Sequence, residues 1–192
     1  MANHVTYKLN NYLKDCYSIL DICCGNGIVS SGLIYNNITG MDICDEYLQS
    51  YKNIVPRSKI LKFDISAYMN KSLEERKNIL LSKSYDIVMC IDGVEHFEKE
   101  LSEIFIQDME RIAREKVIIF TPENAINPKL IVPNFPKNVW GTEKGDIFPI
   151  HKSAHCREEF IQRNYSTELM GKYKNPYEDS YYYEMLYIKE LK

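Results

Sequence analysis

The segment Leu20-Asp21-Ile22-Cys23-Cys24-Gly25-Asn26-Gly27 decides the fold. It leads from a short apolar stretch, residues 17–22 (YSILDI), into a turn holding two glycines. A short apolar run bounded by a glycine turn reads as a buried strand. Gly25 and Gly27 remove Cβ atoms where a ligand must approach the backbone closely. Beyond the turn, residues 28–35 read as a helix. A strand, a glycine turn and a helix in that order open an α/β nucleotide-binding unit.

Outward from this unit, strand-like and helix-like segments alternate. Residues 37–42 (NITGMD), 58–63 (SKILKF), 85–91 (YDIVMCI) and 116–120 (KVIIF) read as strands. Helices are expected at 45–54, at 73–82 behind a Ser72/Glu75 capping box, and at 97–114. In the last, Phe97, Leu101, Ile104, Phe105, Met109, Ile112 and Ala113 recur at helical spacing on one face. Repeated strand–helix–strand units predict a parallel sheet with helices on both faces. A further helix at about 156–163 precedes two strands, 165–173 and 181–190. The short link with Asn175-Pro176 makes those two a hairpin, so the last strand runs antiparallel. The expected fold is α/β, a Rossmann-like seven-stranded, mostly parallel sheet. It forms a single domain over 1–192, with a short N-terminal helix in 1–16.

Composition narrows the function. At 192 residues and 45% hydrophobic, the chain suits one globular domain. A net charge of −3 implies no broad basic face, so duplex nucleic acid is not a default partner. No apolar run approaches the roughly 20 residues of a membrane helix. The polar start MANHVTYKLNNYLK does not read as a signal peptide, and a cytoplasmic location is expected. Cys16, Cys23, Cys24, Cys44, Cys90 and Cys156 show no C-x-x-C spacing. They read as reduced core or loop thiols, not as zinc ligands or a disulfide framework.

Residues 121–150 hold five of the seven prolines, Pro122, Pro128, Pro133, Pro136 and Pro149. A loop this long inside a compact domain is usually functional. It follows a strand end of the kind where open α/β sheets bind ligands, so 121–155 reads as a lid or substrate loop.

The chemistry is carried by acids at strand ends. Asp42 closes the second strand, 17 residues beyond Gly25, where a carboxylate can accept both hydroxyls of a ribose. Asp64 closes the third strand and could accept from an adenine amino group. Asp42, Asp64 and Asp92 also each precede a helical segment, so capping is open for all three. A dinucleotide fold needs G-x-G-x-x-G, but Gly25-Asn26-Gly27-Ile28-Val29-Ser30 lacks the third glycine. Asp21 would repel a pyrophosphate and suits a cationic ligand such as the sulfonium and ammonium of S-adenosylmethionine.

These residues resemble the class I S-adenosylmethionine-dependent methyltransferase family. The resemblance is carried by LDICCGNG, MD at 41–42, FDIS at 63–66, YDIVMCIDGVEHF at 85–97, VIIFTPEN at 117–124 and HKSAHCREEF at 151–160. The family's loop usually reads D-x-G-x-G-x-G, and Cys23 stands at its first glycine. The resemblance implies S-adenosylmethionine as cofactor, with Asp21, Cys23, Gly25 and Gly27 at its methionine end. It further implies Asp42 and Ile43 at the ribose, Asp64 and Ile65 beside the adenine, and Asp92 facing the transferring methyl. Amino-methyltransferases acting on adenine or cytosine carry an Asn/Asp-Pro-Pro-aromatic motif where this chain has Ile91-Asp92-Gly93-Val94-Glu95-His96-Phe97. Hydroxyl or carbon acceptors therefore remain, with Asp92, His96 and His151 as catalytic candidates. The expected acceptor is a small molecule.

The set Asp92, Glu95, His96 and distant His151 also resembles that of the small-RNA 3′-terminal 2′-O-methyltransferases. That implies a divalent metal site for Mg²⁺ or Mn²⁺, and an RNA 3′ end as alternative acceptor. A non-catalytic S-adenosyl-ligand-binding module is the reading from another class. His155, near the start of a helix, is expected to face solvent. Tyr181, Tyr182, Tyr183 and Tyr187 either line a pocket or pack within the final hairpin.

Overall fold

The computed structural model describes residues 2–13, 18–34, 37–123, 152–174 and 181–191. Strands β1 (Ile19–Ile22), β2 (Ile38–Asp42), β3 (Lys59–Lys62), β4 (Tyr85–Ile91), β5 (Ala113–Glu123), β6 (Ser166–Lys174) and β7 (Tyr181–Glu190) form one sheet. Their order is β3-β2-β1-β4-β5-β7-β6. The first five run parallel, and β7 is antiparallel to both its neighbours. Helices α1 (Ala2–Tyr12), α2 (Asp45–Ile54), α3 (Ile65–Met69), α4 (Leu73–Ile79), α5 (Lys99–Ile112) and α6 (Arg157–Gln162) surround it.

The alternation of each strand sorts its side chains onto two faces. Leu20, Ile22, Val88, Cys90, Val117 and Ile119 pack with Tyr68 of α3 and Phe105, Met109 and Ile112 of α5. Ile19, Ile38, Ile87, Met89, Ile118 and Phe120 pack with Val5 and Leu9 of α1 and Tyr51 of α2. Both faces are covered, so the central strands read as unbroken apolar runs. Each fully buried aliphatic or aromatic side chain contributes about 1.5–3 kcal/mol.

Of the helix expected at 28–35, the described residues 28–34 form only a single 3-10 turn, Ser30–Gly32. Ile28, Val29, Ser30, Ser31 and Gly32 are all weak helix formers, for reasons of χ1 entropy, backbone competition or freedom. Side chains of α1 supply the missing hydrogen bonds. Thr6 Oγ1 donates to Val29 O at 2.9 Å, Asn10 Nδ2 donates to Gly32 O at 3.0 Å, and Asn10 Oδ1 accepts from Ile34 N at 3.2 Å. The short α3 was hidden in sequence by its five-residue length.

A buried ionic knot ties α3, α4 and α5 together. Asp108 accepts from Tyr68 Oη at 2.8 Å and Arg111 Nε at 3.0 Å, and pairs with Arg76 Nε at 3.1 Å. Chain direction reverses its lateral progress at β1: β2 and β3 lie on one side, β4 and β5 on the other. Open α/β sheets bind ligands outside the carboxyl ends at such a switch point.

Candidate active site

Register sets the site. Ile22 pairs with Met41 of β2 and with Cys90 of β4, so the loops that follow β1, β2 and β4 emerge side by side. Cys23 (φ 57°) and Asp92 (φ 51°) both hold left-handed backbone on either side of this point. Non-glycine residues in that region cost on the order of 1 kcal/mol or more and concentrate at functional sites.

Gly25 has φ +53°, and a Cβ built on it would meet nothing within 4 Å. The loop therefore borders open space there. Gly27 differs: its Cβ would fall 2.8 Å from the Tyr51 ring, so that glycine serves packing. Asp42 braces the turn, with Oδ2 accepting from Gly25 N at 2.9 Å and Oδ1 from Cys44 N at 3.0 Å. Each carboxylate oxygen keeps a further lone pair for a ligand hydroxyl. Ile43, beside it, is exposed.

Asp21 is buried beneath the loop, and its carboxylate accepts from Ser30 Oγ and Tyr51 Oη. Burial lifts its pKa to about 7, against those two hydrogen bonds and helped by the Asp42 charge. Asp64 is exposed and caps α3, Oδ1 accepting from Ala67 N at 2.9 Å. Ile65 is packed into the core under the same helix.

Beyond β4 lies an acidic cluster. Asp92 is exposed to the cleft but crowded by protein, and desolvation pushes its acid dissociation well upward. The charges of Glu95 and of Glu184 on β7 add to that push. Glu95 sits in the turn Val94–His96, only 2% exposed, with Oε2 accepting from Thr121 Oγ1 at 2.9 Å. Burial raises its pKa to about 7 in spite of the Thr121 hydroxyl and the N–H groups of Gly93 and Glu95. His96 follows, half-buried. Glu184 and Thr121 were not singled out in the sequence, because strand pairing alone brings β5 and β7 to the mouth of β4.

His151 lies outside the described residues, as do positions 124–150 of the expected lid. The chain that follows is docked on the same turn as Glu95. Lys152 N and Ser153 N donate to Glu95 O at 2.8 and 3.1 Å, and Ser153 Oγ donates to Val94 O at 3.4 Å. His155 is 3% exposed, contrary to the solvent-facing expectation. Its Nε2 meets Ser102 Oγ at 2.9 Å and Ser153 Oγ at 3.1 Å, fastening the strap to α5. Burial lowers its pKa, against the pull of the Glu159 carboxylate. Tyr187 is core, stacked on Phe160 at 3.8 Å, whereas the side chains of Tyr181 and Tyr182 lie outside the described set.

Among the described residues no three His, Cys, Asp or Glu side chains are grouped to hold a metal. The fourth member of the expected divalent set, His151, lies outside the described residues, so the structure shows only Asp92, Glu95 and His96 of it. Glu95 is turned inward to Thr121, which takes one carboxylate out of the cleft.

A family model described as a methyltransferase domain matches residues 19–116, which span β1 through the start of β5 and contain Asp21 through His96 of this site. The chain belongs to the class I S-adenosylmethionine-dependent methyltransferases. A ubiquinone biosynthesis O-methyltransferase of Rickettsia bellii is 25% identical to this methyltransferase over 126 residues, covering 64% of the chain and 49% of the relative. The chain spans about half the length of that curated relative. Among solved structures, an S-adenosylmethionine-dependent methyltransferase of Archaeoglobus fulgidus superposes with a TM-score of 0.67 at 17% identity. That match covers 100% of this chain and 95% of the other. The small RNA methyltransferase HEN1 matches at a TM-score of 0.61 and 17% identity, over 100% of this chain and 25% of that one. Such distant likeness establishes the shared fold. No helix among the described residues of the methyltransferase is long and apolar enough to cross a membrane.

Proposed function

We propose that this methyltransferase methylates a hydroxyl oxygen of a small molecule. The observation that carries the reading is the carboxyl end of the sheet at the switch point, where a Cβ on Gly25 would meet nothing within 4 Å and Asp92 is exposed. The name of the curated O-methyltransferase relative supports an oxygen acceptor over a carbon one.

The residues fit the cofactor. The space above Gly25, which no side chain fills, would take the methionine end. Cys23 shapes the same loop, and Asp21, a buried acid beneath it, would favour the cofactor's cationic end. Asp42 would accept from the ribose hydroxyls through its free lone pairs, with Ile43 against the sugar and base. Asp64 would receive the adenine amino group on the oxygen that does not cap α3, above Ile65. Bound there, S-adenosylmethionine supplies an electrophilic methyl carbon.

The chain's own work is to orient the acceptor and remove its proton. Asp92 would position the hydroxyl toward the methyl, and His96 or His151 would take the proton. Orientation alone is worth about 7–11 kcal/mol in well-aligned systems, and a base adds roughly 10²–10⁴-fold. Residues 121–155 would cover the acceptor, a role supported by the docking of Lys152 and Ser153 beside Glu95. The acids Asp92 and Glu184, the second close enough to raise the pKa of the first, make this end of the sheet a poor seat for the phosphates of an RNA 3′ end and favour a neutral or cationic small molecule.

The test pairs binding with transfer. Calorimetry should give micromolar binding of S-adenosylhomocysteine. Labelled methyl transfer should then be followed to phenols, catechols, hydroxy acids and a single-stranded RNA with a free 3′ end, with and without chelator. Transfer to a small hydroxyl compound in excess chelator supports the reading. Transfer confined to RNA, or dependent on added Mg²⁺ or Mn²⁺, overturns it.

A further inference from the structure

Two thiols meet beside the loop that follows β1, and neither is used in the methyl or proton transfer proposed above. Strand alternation would send Cys23 to the Tyr51 face, the side of Asp21. Its left-handed backbone, φ 57°, instead turns its side chain to the opposite face, against the cluster holding Cys90. A Cβ placed on Gly93 would lie 2.5 Å from Cys90 Sγ, 2.9 Å from Cys23 Cβ and 3.4 Å from Cys23 Sγ. Both sulfurs thus approach one point, and glycine at 93 leaves them that room. A hydrogen-bonding contact with the Cys23 thiol, together with burial, pushes the acid dissociation of Cys90 upward. Both thiols are free.

The backbone spacing suits a bridge. Cys90 pairs with Ile22, so Cys23 sits one residue diagonally across adjacent strands. Strand spacing and rise put such Cα atoms about 6 Å apart, inside the roughly 4.4–6.8 Å range of disulfides.

We propose that Cys23 and Cys90 are a modification site, oxidised by a hydroperoxide to a disulfide that closes the cleft to the cofactor. The half-exposed Cys23 meets the oxidant first, its thiolate sulfur attacking the peroxide oxygen to give a sulfenic acid and, for hydrogen peroxide, water. Buried Cys90 sulfur then attacks the Cys23 sulfur, and the S–OH oxygen leaves as a second water. Two thiols and one H2O2 thus become one disulfide and two waters. Drawing the sulfurs to about 2.05 Å pulls the loop at Cys23–Gly25 toward β4 and withdraws the space at Gly25. This last step rests on the reading that S-adenosylmethionine occupies that space.

The test treats reduced protein with stoichiometric hydrogen peroxide, alkylates it and maps the peptides. The expected product is an intramolecular Cys23–Cys90 bridge, with S-adenosylhomocysteine affinity lowered about tenfold or more and restored by dithiothreitol. Cys24→Ala should still form the bridge to Cys90, which separates it from a bridge through Cys24. Cys90→Ala should lose the effect of peroxide on affinity. Should that variant not fold, the wild-type and Cys24→Ala maps still decide. A Cys23–Cys24 or intermolecular product, or a mapped bridge that leaves affinity unchanged, overturns the proposal. Reduced protein that binds no S-adenosylhomocysteine overturns the cofactor reading instead, while the map still reports on the bridge.

Discussion

Asp108 and Glu95 are both 2% exposed, yet their surroundings are opposites. Asp108 is answered by two arginines and a tyrosine hydroxyl. Glu95 is answered by a threonine hydroxyl and backbone N–H groups, and the described residues place no cation on it. Nearby Asp92 and Glu184 add like charge. The first acid holds helices together. The second belongs to a group of neighbouring acids whose charges raise the pKa of Asp92, an arrangement that clusters at functional sites.

The largest effect should come from the compensated side. Asp108→Ala leaves Arg76 and Arg111 buried without their partner and should destabilise by about 3–5 kcal/mol. Thermal unfolding measures this, and a change below about 1 kcal/mol would erase the contrast. On the other side, His96→Ala should lower methyl transfer about 10²-fold or more while leaving the melting temperature nearly in place. A loss of stability matching the loss of activity would make the β4 end structural too.

Asp42→Ala sharpens the comparison within the cleft. It removes an acceptor from Gly25 N and from the cofactor, and should weaken S-adenosylhomocysteine binding by about 1–2 kcal/mol in a calorimetric titration. The smallest effect concerns pH. Asp21 and Glu95 both have folded pKa values raised to about 7, so the folded protein holds these protons more tightly than the unfolded chain. Their contribution to stability is complete below the unfolded values near 4 and is lost as pH rises through about 7. Denaturant midpoints of the ligand-free protein should therefore fall between pH 5 and pH 8, and Glu95→Gln should flatten the decline. A midpoint that climbs across the same window would reveal a cation compensating these acids.

Much of the fold was legible because its signals are local. LDICCGNG, the apolar runs of β4 and β5 and the Ser72/Glu75 box each announce one element, and the parallel pairing of the first five strands follows from strand–helix alternation. The 28–35 segment misled because the helix it suggested is replaced by hydrogen bonds from α1, about 20 residues earlier in the chain. His155 misled for a related reason. Its partner Ser102 lies 53 residues away, and nothing local marks a histidine for burial. In the site, Asp42 and Gly25 were readable from spacing, and the structure joins them by a hydrogen bond. Glu184, Thr121 and the Cys23–Cys90 contact were not, since each arises from strand register and backbone handedness rather than from sequence neighbours.

The segment between Glu123 and Lys152 begins and ends at clamped points. Glu123 accepts from Arg157 N and Nη2 at 3.0 and 3.1 Å and bridges to His155, while Lys152 and Ser153 are fixed to Glu95. Entry and exit therefore stand close together on a frame that owes little to what is strung between them. Closing a loop on such a frame costs only about 0.6 kcal/mol more for each doubling of length. On the proposed reading, in which this segment covers the acceptor, the arrangement is a cassette: rewriting 124–151 should change what is methylated and leave S-adenosylhomocysteine binding in place.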